Sequence, residues 1–260
     1  MILPKAIPCL SQSRLNPVKK QSAKKYTGSS YIAYFQAYTN TYASLAYLEK
    51  LYMEAILHPD IRILSIATRP DCLSTEILDL LERLNQIKPV WVELGLQTIH
   101  ERTARYIRRG YDLPVFETAV SELRRRGIDV IVHTILCLPG ETKPDMLQTI
   151  QYLNRQDIQG IKLQLLHILK DTDLAEIYAS DPFPVPDPQE YYELLGACIS
   201  HLRPDIVIHR LTGDGPKELL TAPLWTCNKR QVLNQLQSYF KHMTSGRERS
   251  INHGQIIYAI

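Results

Sequence analysis

Residues 128–145 read IDVIVHTILCLPGETKPD, and this stretch decides the fold. Ile128–Leu138 is a near-continuous apolar run rich in β-branched residues, the pattern of a strand in a helix-covered sheet. Pro139-Gly140 breaks the run. Thr142 followed by Asp145 then forms a capping-box pattern, which predicts a helix to about Arg155. A strand that turns directly into a helix is half of a βαβ unit, and its repetition builds a parallel sheet.

The same alternation recurs on both sides of this stretch. Upstream, YIAYFQ (31–36), IRILSIA (61–67) and PVWVELGL (89–96) read as strands, as do IKLQLLHIL (161–169) and DIVIHRL (205–211) downstream. Between them, Ser44–Leu57 carries Leu45, Leu48, Leu51, Tyr52 and Ala55 at helical spacing, and Ser74 stands as a cap before Ile77, Leu78, Leu81 and Leu84. His100–Arg109 and Leu113–Arg126 read as helices, the second stopped by Gly127. Residues 182–188 form a proline-rich connection, and Asp187-Pro188 with Glu190 opens a further helix. Asn228–His242 closes with another. About six strands are legible, fewer than the eight of a closed barrel, so the expected fold is α/β, a partial parallel (β/α) barrel. No helix-opening G-x-G-x-x-G is present, which argues against a Rossmann site.

With 260 residues, 45% of them hydrophobic and 22% charged, the chain has globular composition. A net charge of +3 does not by itself demand nucleic acid, and the Arg124-Arg125-Arg126 run on an outer helix reads as solvated surface. No apolar run approaches the roughly 20 residues of a membrane helix, so a cytoplasmic location is expected, with no membrane partner. The cysteines, Cys9, Cys72, Cys137, Cys198 and Cys227, are scattered without a C-x-x-C and read as separate reduced thiols, mostly buried. No metal ligand set is assigned to this chain.

Ligands of parallel α/β folds bind at the carboxyl ends of the strands. Those ends carry Gln36, Thr39, Asn40 and Thr41; Arg69 and Asp71; Glu93 and Gln97; His133 and the Leu138–Thr142 loop; Lys162, Gln164, His167 and Lys170; and His209, Arg210, Thr212 and Asp214. Glu93 and His133 sit inside apolar runs, where an unpartnered polar group is costly. His133 reads as a hydrogen-bonded core residue, and Arg69 is a candidate structural partner for Glu93.

The runs YFQAYTNTY (34–42), IATRPDC (66–72), VELGLQT (92–98), Arg109-Gly110 and LPGET (138–142) occur in this order with barrel-like spacing. They resemble radical S-adenosylmethionine proteins, in the branch that includes the radical domain of elongator-type tRNA-modifying enzymes. KLQLLH (162–167), IHRLTGDGP (208–216) and APLW (222–225) are similar to the YhcC-like family of that branch, and the resemblance spans roughly residues 24–240. It implies S-adenosylmethionine as cosubstrate, a [4Fe–4S] cluster held by three cysteines, a 5′-deoxyadenosyl radical, an electron donor and, by analogy with the wider branch, RNA as substrate.

Carried onto this sequence, the resemblance implies that Gln36, Thr39, Asn40 and Thr41 meet the methionine end. Arg69 would meet its carboxylate, and Glu93 and Gln97 the ribose or the ammonium. Leu138, Gly140 and the rest of their loop would line the adenine. His167, Lys170, His209, Arg210 and Asp214 stand where a substrate would bind.

The cluster motif has no counterpart here, since one cysteine, Cys9, precedes the first legible strand. The expectation is a chain lacking the first strand and cluster loop, with residues 1–30 a remnant of the first helix. Residues 31–180 would be the barrel core, 181–245 a βα extension and 246–260 a loose tail. Tyr111 stands where relatives have His, Cys137 and Asp171 where they have Gly, and Gln164 where they have His. Four readings follow: a truncated, catalytically impaired radical protein; a cluster-free relative that binds S-adenosylmethionine or nucleic acid; an inert remnant; and a barrel hydrolase using Glu93 and His133, for which no nucleophile is found.

Overall fold

The computed structural model describes residues 30–36, 38–213 and 215–246; the expectations for residues 1–29, for Asp214 and for the tail beyond 246 lie outside the described residues. Eight strands are described: β1 (Tyr31–Phe35), β2 (Ile61–Thr68), β3 (Val90–Gln97), β4 (Asp129–Leu136), β5 (Gly160–Leu165), β6 (Ile168–Leu169), β7 (Val207–Arg210) and β8 (Leu220–Ala222). The α-helices are α1 (Leu45–Ile56), α2 (Thr75–Asn85), α3 (Glu101–Tyr106), α4 (Leu113–Arg125), α5 (Lys143–Leu153), α6 (Asp173–Ser180), α7 (Pro188–His201) and α8 (Lys229–Gly246). Six strands form one sheet in the order β1-β2-β3-β4-β5-β7, while β6 pairs antiparallel with β8. The β1–β2, β2–β3 and β5–β7 pairs are parallel, as the strand–helix alternation requires.

Contacts divide the chain into two compact units: residues up to Gly95 with Leu113–Ile131, and Leu96–Asp112 with the residues from Val132 onward. In the first, the register sets Tyr34 opposite Ser65 and Ser65 opposite Trp91, so these residues and Glu93 share one face of the sheet. Phe35, Ile66 and Val92 align on the other face and are buried. There the ring of Phe35 meets Tyr52 of α1 edge-on at 5.3 Å, and α1 packs on β2 and α2. These strands thus alternate in polarity; they are not apolar on both faces. Ser74 caps α2 as expected, accepting from the Ile77 amide. Arg126 departs from the expected solvated run: its side chain is buried among Asp79 (3.0 Å), Glu122 (2.5 Å) and Glu82 (3.5 Å), while Arg125 stays exposed.

In the second unit the expected capping box of Thr142 with Asp145 forms, and the expected helix start at Asp187-Pro188 proves to be a capping box too, Asp187 with Glu190. Two boundaries differ from the sequence reading. Residues 161–169 are not one strand, because the chain leaves the main sheet after Leu165 and Ile168–Leu169 pairs with β8. The helix expected over His100–Arg109 ends at Tyr106, since Arg108 turns left-handed (φ 55°) and Arg109 folds inward. Its guanidinium donates to the carbonyls of Thr98 (2.8 Å) and Tyr111 (2.9 Å) and pairs with Glu101 (2.8 Å). Helix α6, which has no buried residue, and the three-residue β8 gave no legible pattern.

Candidate functional site at the strand ends

In the first unit the turn after β1 is tied to the end of β2. Asn40, buried, donates through Nδ2 to the carbonyls of Phe35 (2.9 Å) and Ala67 (2.7 Å), bridging the two strands. The Thr41 hydroxyl is hydrogen-bonded to that of Thr68 (2.6 Å) and donates to the carbonyl of Cys72 (2.7 Å). Asn40 and Thr41 therefore brace the turn. Gln36 stays exposed, Thr39 is half-buried, and Tyr38 is held left-handed at φ 60°. Asn40 keeps one buried oxygen, Oδ1, with no hydrogen-bond partner.

Arg69 follows β2 directly and forks onto the Asp71 carboxylate at 2.9 and 2.6 Å, half-exposed. Glu93 is buried and lies opposite Ala67 in the register. Its two oxygens receive the hydroxyls of Tyr34 (2.8 Å) and Ser65 (2.7 Å), the donors that make a buried carboxyl tolerable. Asn40 and Glu93 thus both abut Ala67, two residues before Arg69. The Tyr34 and Ser65 hydroxyls were not singled out in the sequence; their only mark is polarity in register with Glu93. Beside these turns runs an open groove of about 680 Å³, lined by Thr41, Tyr42, Asp71, Cys72 and Ser74.

In the second unit Gln97 ends β3 in the left-handed region (φ 62°). Leu138 is buried, and the Gly140 carbonyl accepts from Arg102 (2.9 Å). A cavity of about 310 Å³ lies here, lined by His100, Arg102, Thr103, Gly140, Glu141 and Asp145. Burial pushes the Glu141 carboxyl up, opposed by the hydroxyls of Thr98 and Thr103. His133 is half-buried and bonds Gln164 (3.3 Å), and Lys162, buried, sits in register with Arg210. The candidate substrate residues fall on two sheets: His209 and Arg210 on β7, His167 and Lys170 flanking the short β6.

The described cysteines are all free, but only Cys198 is fully buried, fewer than expected. Burial pushes Cys137 and Cys198 up to about 12 and raises Cys72, so in the structure these three are neutral thiols. Among the described residues no group of three or more His, Cys, Asp or Glu side chains is placed to hold a metal ion. The described residues do not fit an iron–sulfur cluster; Cys9 lies outside them. No described helix is long and apolar enough to cross a membrane.

Two family models match, "Radical SAM superfamily" over residues 18–153 and "Radical_SAM C-terminal domain" over 158–242. The chain is 38% identical to YtqA of Bacillus subtilis over 233 residues, covering 90% of this chain and 72% of that protein. It is 37% identical to YhcC of Escherichia coli over 210 residues, covering 80% of this chain and 68% of that protein. Among solved structures it resembles the archaeal Methanocaldococcus infernus Elp3 with an N-terminal deletion, with TM-score 0.73 at 16% identity. That match covers 89% of this chain and 58% of the Elp3 chain. At such identity the likeness is one of fold, and the fold is the partial parallel (β/α) barrel expected from the sequence.

Proposed function

Because this chain belongs to the radical S-adenosylmethionine superfamily, we propose that the turns after β1 and β2 bind S-adenosylmethionine and that the substrate is RNA. What carries the reading is the placement of Asn40, Arg69 and Glu93 around the carboxyl end of β2, within the segment that the superfamily model matches. Arg69 offers a guanidinium to the cosubstrate carboxylate, with Asp71 holding it in place until then. Gln36 and Thr39 offer the amide and hydroxyl groups left outside the braced turn. Glu93 acts on the ribose or ammonium, its carboxyl oriented by Tyr34 and Ser65. In this superfamily the cosubstrate supplies radical chemistry at a cluster, and the described cysteines form no group that would hold one. RNA as substrate class rests on the motif likeness to the elongator-type branch, and His167, Lys170, His209 and Arg210 are the groups proposed to meet it.

The test is calorimetric titration of the full chain with S-adenosylmethionine. Arg69→Ala is expected to weaken Kd by roughly 10- to 100-fold, the worth of a hydrogen bond between charged groups. Binding unchanged by the substitution removes the assignment. A second reading, cosubstrate binding without a cluster, is favoured by the geometry: among the described residues no group of three or more His, Cys, Asp or Glu side chains is placed to hold a metal ion. Anaerobic reconstitution with iron and sulfide separates the two, a broad visible charge-transfer band deciding for the cluster.

A further inference from the structure

Between the first turn of α3 and the loop after β4, within the second unit, lies the cavity of about 310 Å³ lined by His100, Arg102, Thr103, Gly140, Glu141 and Asp145. That stands at the lower end of the roughly 300–1,000 Å³ of small-ligand pockets. It has room for one planar base, not for a run of nucleotides. Among the described residues no group of three or more His, Cys, Asp or Glu side chains is placed to hold a metal ion, so the cavity is not a metal site.

Its charged groups are unequally engaged. Glu101 pairs with Arg109 at 2.8 Å. Asp145 accepts from the amide (2.7 Å) and the hydroxyl (2.6 Å) of Thr142. His100 Nε2 lies 2.9 Å from the Asp145 carbonyl, which can only accept, so the ring spends its donor there. Glu141 is the exception. It lines the cavity half-buried, and although the hydroxyls of Thr98 and Thr103 bear on its carboxyl, Oε1 is buried with no hydrogen-bond partner. A buried acceptor without a donor is costly, and a carboxylate accepts several donors. The terminal torsion of glutamate is broad, so the carboxylate can turn an edge toward a guest.

Arg102 stands beside it. Nη2 donates to the Gly140 carbonyl at 2.9 Å, and the guanidinium charge also acts on Asp145. With five N–H donors, the guanidinium keeps others for a guest, and what it offers is direction more than net charge. Gly140 (φ 80°) makes the pairing possible. A Cβ there would stand 3.0 Å from Arg102 Nη2 and 3.7 Å from Cζ, so bare backbone lets the guanidinium lie against the residue before Glu141.

A carboxylate and a guanidinium side by side select among the nucleobases. Guanine alone presents two adjacent donors, N1–H and the 2-amino group, next to two acceptors, O6 and N7. The carboxylate matches the first edge and the guanidinium fork the second. Adenine, the base of the cosubstrate, presents one donor group flanked by acceptors and leaves a carboxylate half matched. We propose that this cavity binds a guanine base, its N1–H and amino edge on Glu141 and its O6 and N7 on Arg102. Only the RNA arm of the test below rests on the function proposed above.

The experiment is calorimetric titration of the full chain with guanosine monophosphate, repeated with inosine monophosphate, which lacks the 2-amino group, and with 7-deazaguanosine monophosphate, which lacks N7. Guanosine monophosphate is expected to bind saturably and each analogue roughly tenfold more weakly, the worth of one hydrogen bond to a charged group. Two variants assign the edges. Glu141→Ala should bring guanosine and inosine monophosphates level while keeping the N7 difference, and Arg102→Ala should do the reverse. Glu141→Ala removes a carboxyl with an unpartnered buried oxygen, so its Tm without ligand should stay level or rise, which separates lost binding from lost fold. No saturable binding of guanosine monophosphate, equal binding of it and both analogues, or discrimination unchanged in both variants overturns the site. If the site holds, uridine oligomers with and without a single guanosine identify the source. Tighter binding of the guanosine-bearing oligomer, displaced by guanosine monophosphate, means a base of RNA. Binding of the mononucleotide alone means a free nucleotide, supporting the site while rejecting RNA as what fills it.

Discussion

On β1–β3 the two faces of one sheet follow different rules. The face under α1 and α2 carries Phe35, Ile66, Val92 and, on neighbouring rows, Leu64 and Leu94, all buried and none polar. The face one residue out of phase carries Tyr34, Ser65, Trp91 and Glu93, knit by hydroxyl-to-carboxyl hydrogen bonds. The first face makes the fold by removing hydrocarbon from water. The second is free to carry chemistry because the first already suffices to hold the strands, and its polar groups need only satisfy one another.

This contrast can be broken by comparing one substitution from each face. Leu94→Ala, at a fully buried position, should cost about 2–5 kcal/mol in chemical denaturation, the lost transfer energy plus the cavity left behind. Ser65→Ala removes one of the two hydroxyls on Glu93 and should cost less, about 1–3 kcal/mol, the penalty of an under-satisfied buried acceptor. If Ser65→Ala costs more than Leu94→Ala, the polar network and not the apolar face is the framework of this unit.

What the sequence made legible follows from the same division. The apolar face is a local signal, and the strands around Val92 and Val132 are visible as runs of β-branched residues with helix caps at Ser74 and Thr142. Glu93 and His133 were visible as intruders in those runs, which located the polar face without revealing its partners. The partners were hidden because they are distant in the chain: Ser65 lies 28 residues and Tyr34 59 residues from Glu93, and serine and tyrosine in a strand are unremarkable singly. Arg126 was misplaced for the same reason, since its burial depends on Asp79, 47 residues away. The break after Leu165 went unseen because apolarity continues through Ile168 and Leu169 while the pairing partner changes to β8, and only the partner distinguishes one sheet from another.

The strand ends differ from the strands in a further way, in backbone strain. Five described non-glycine residues have positive φ, and four of them follow or end strands: Tyr38, Gln97, Cys137 and Asp171. Left-handed backbone costs an ordinary L-residue about 1–2 kcal/mol, and such strain gathers where a loop's shape matters more than its stability. Cys137 (φ 64°) and Asp171 (φ 60°) are the positions where the family likeness leads one to expect glycine. Both loops take the left-handed turn here without the residue that adopts it freely. Cys137→Gly should therefore stabilise the chain, by about 1 kcal/mol once the greater flexibility of glycine in the unfolded state is set against the relief. Asp171→Gly should gain less, because aspartate tolerates the left-handed region better than cysteine does. Both are read as shifts of the denaturation midpoint at unchanged slope. The opposing force at Cys137 is its half-buried thiol, while the hydrogen bond that its backbone N–H donates to Met146 Sδ (3.1 Å) survives the change to glycine. A loss of stability in Cys137→Gly would mean that packing of the sulfur outweighs the strain it imposes, and that the thiol, not the shape of the loop, is what position 137 preserves.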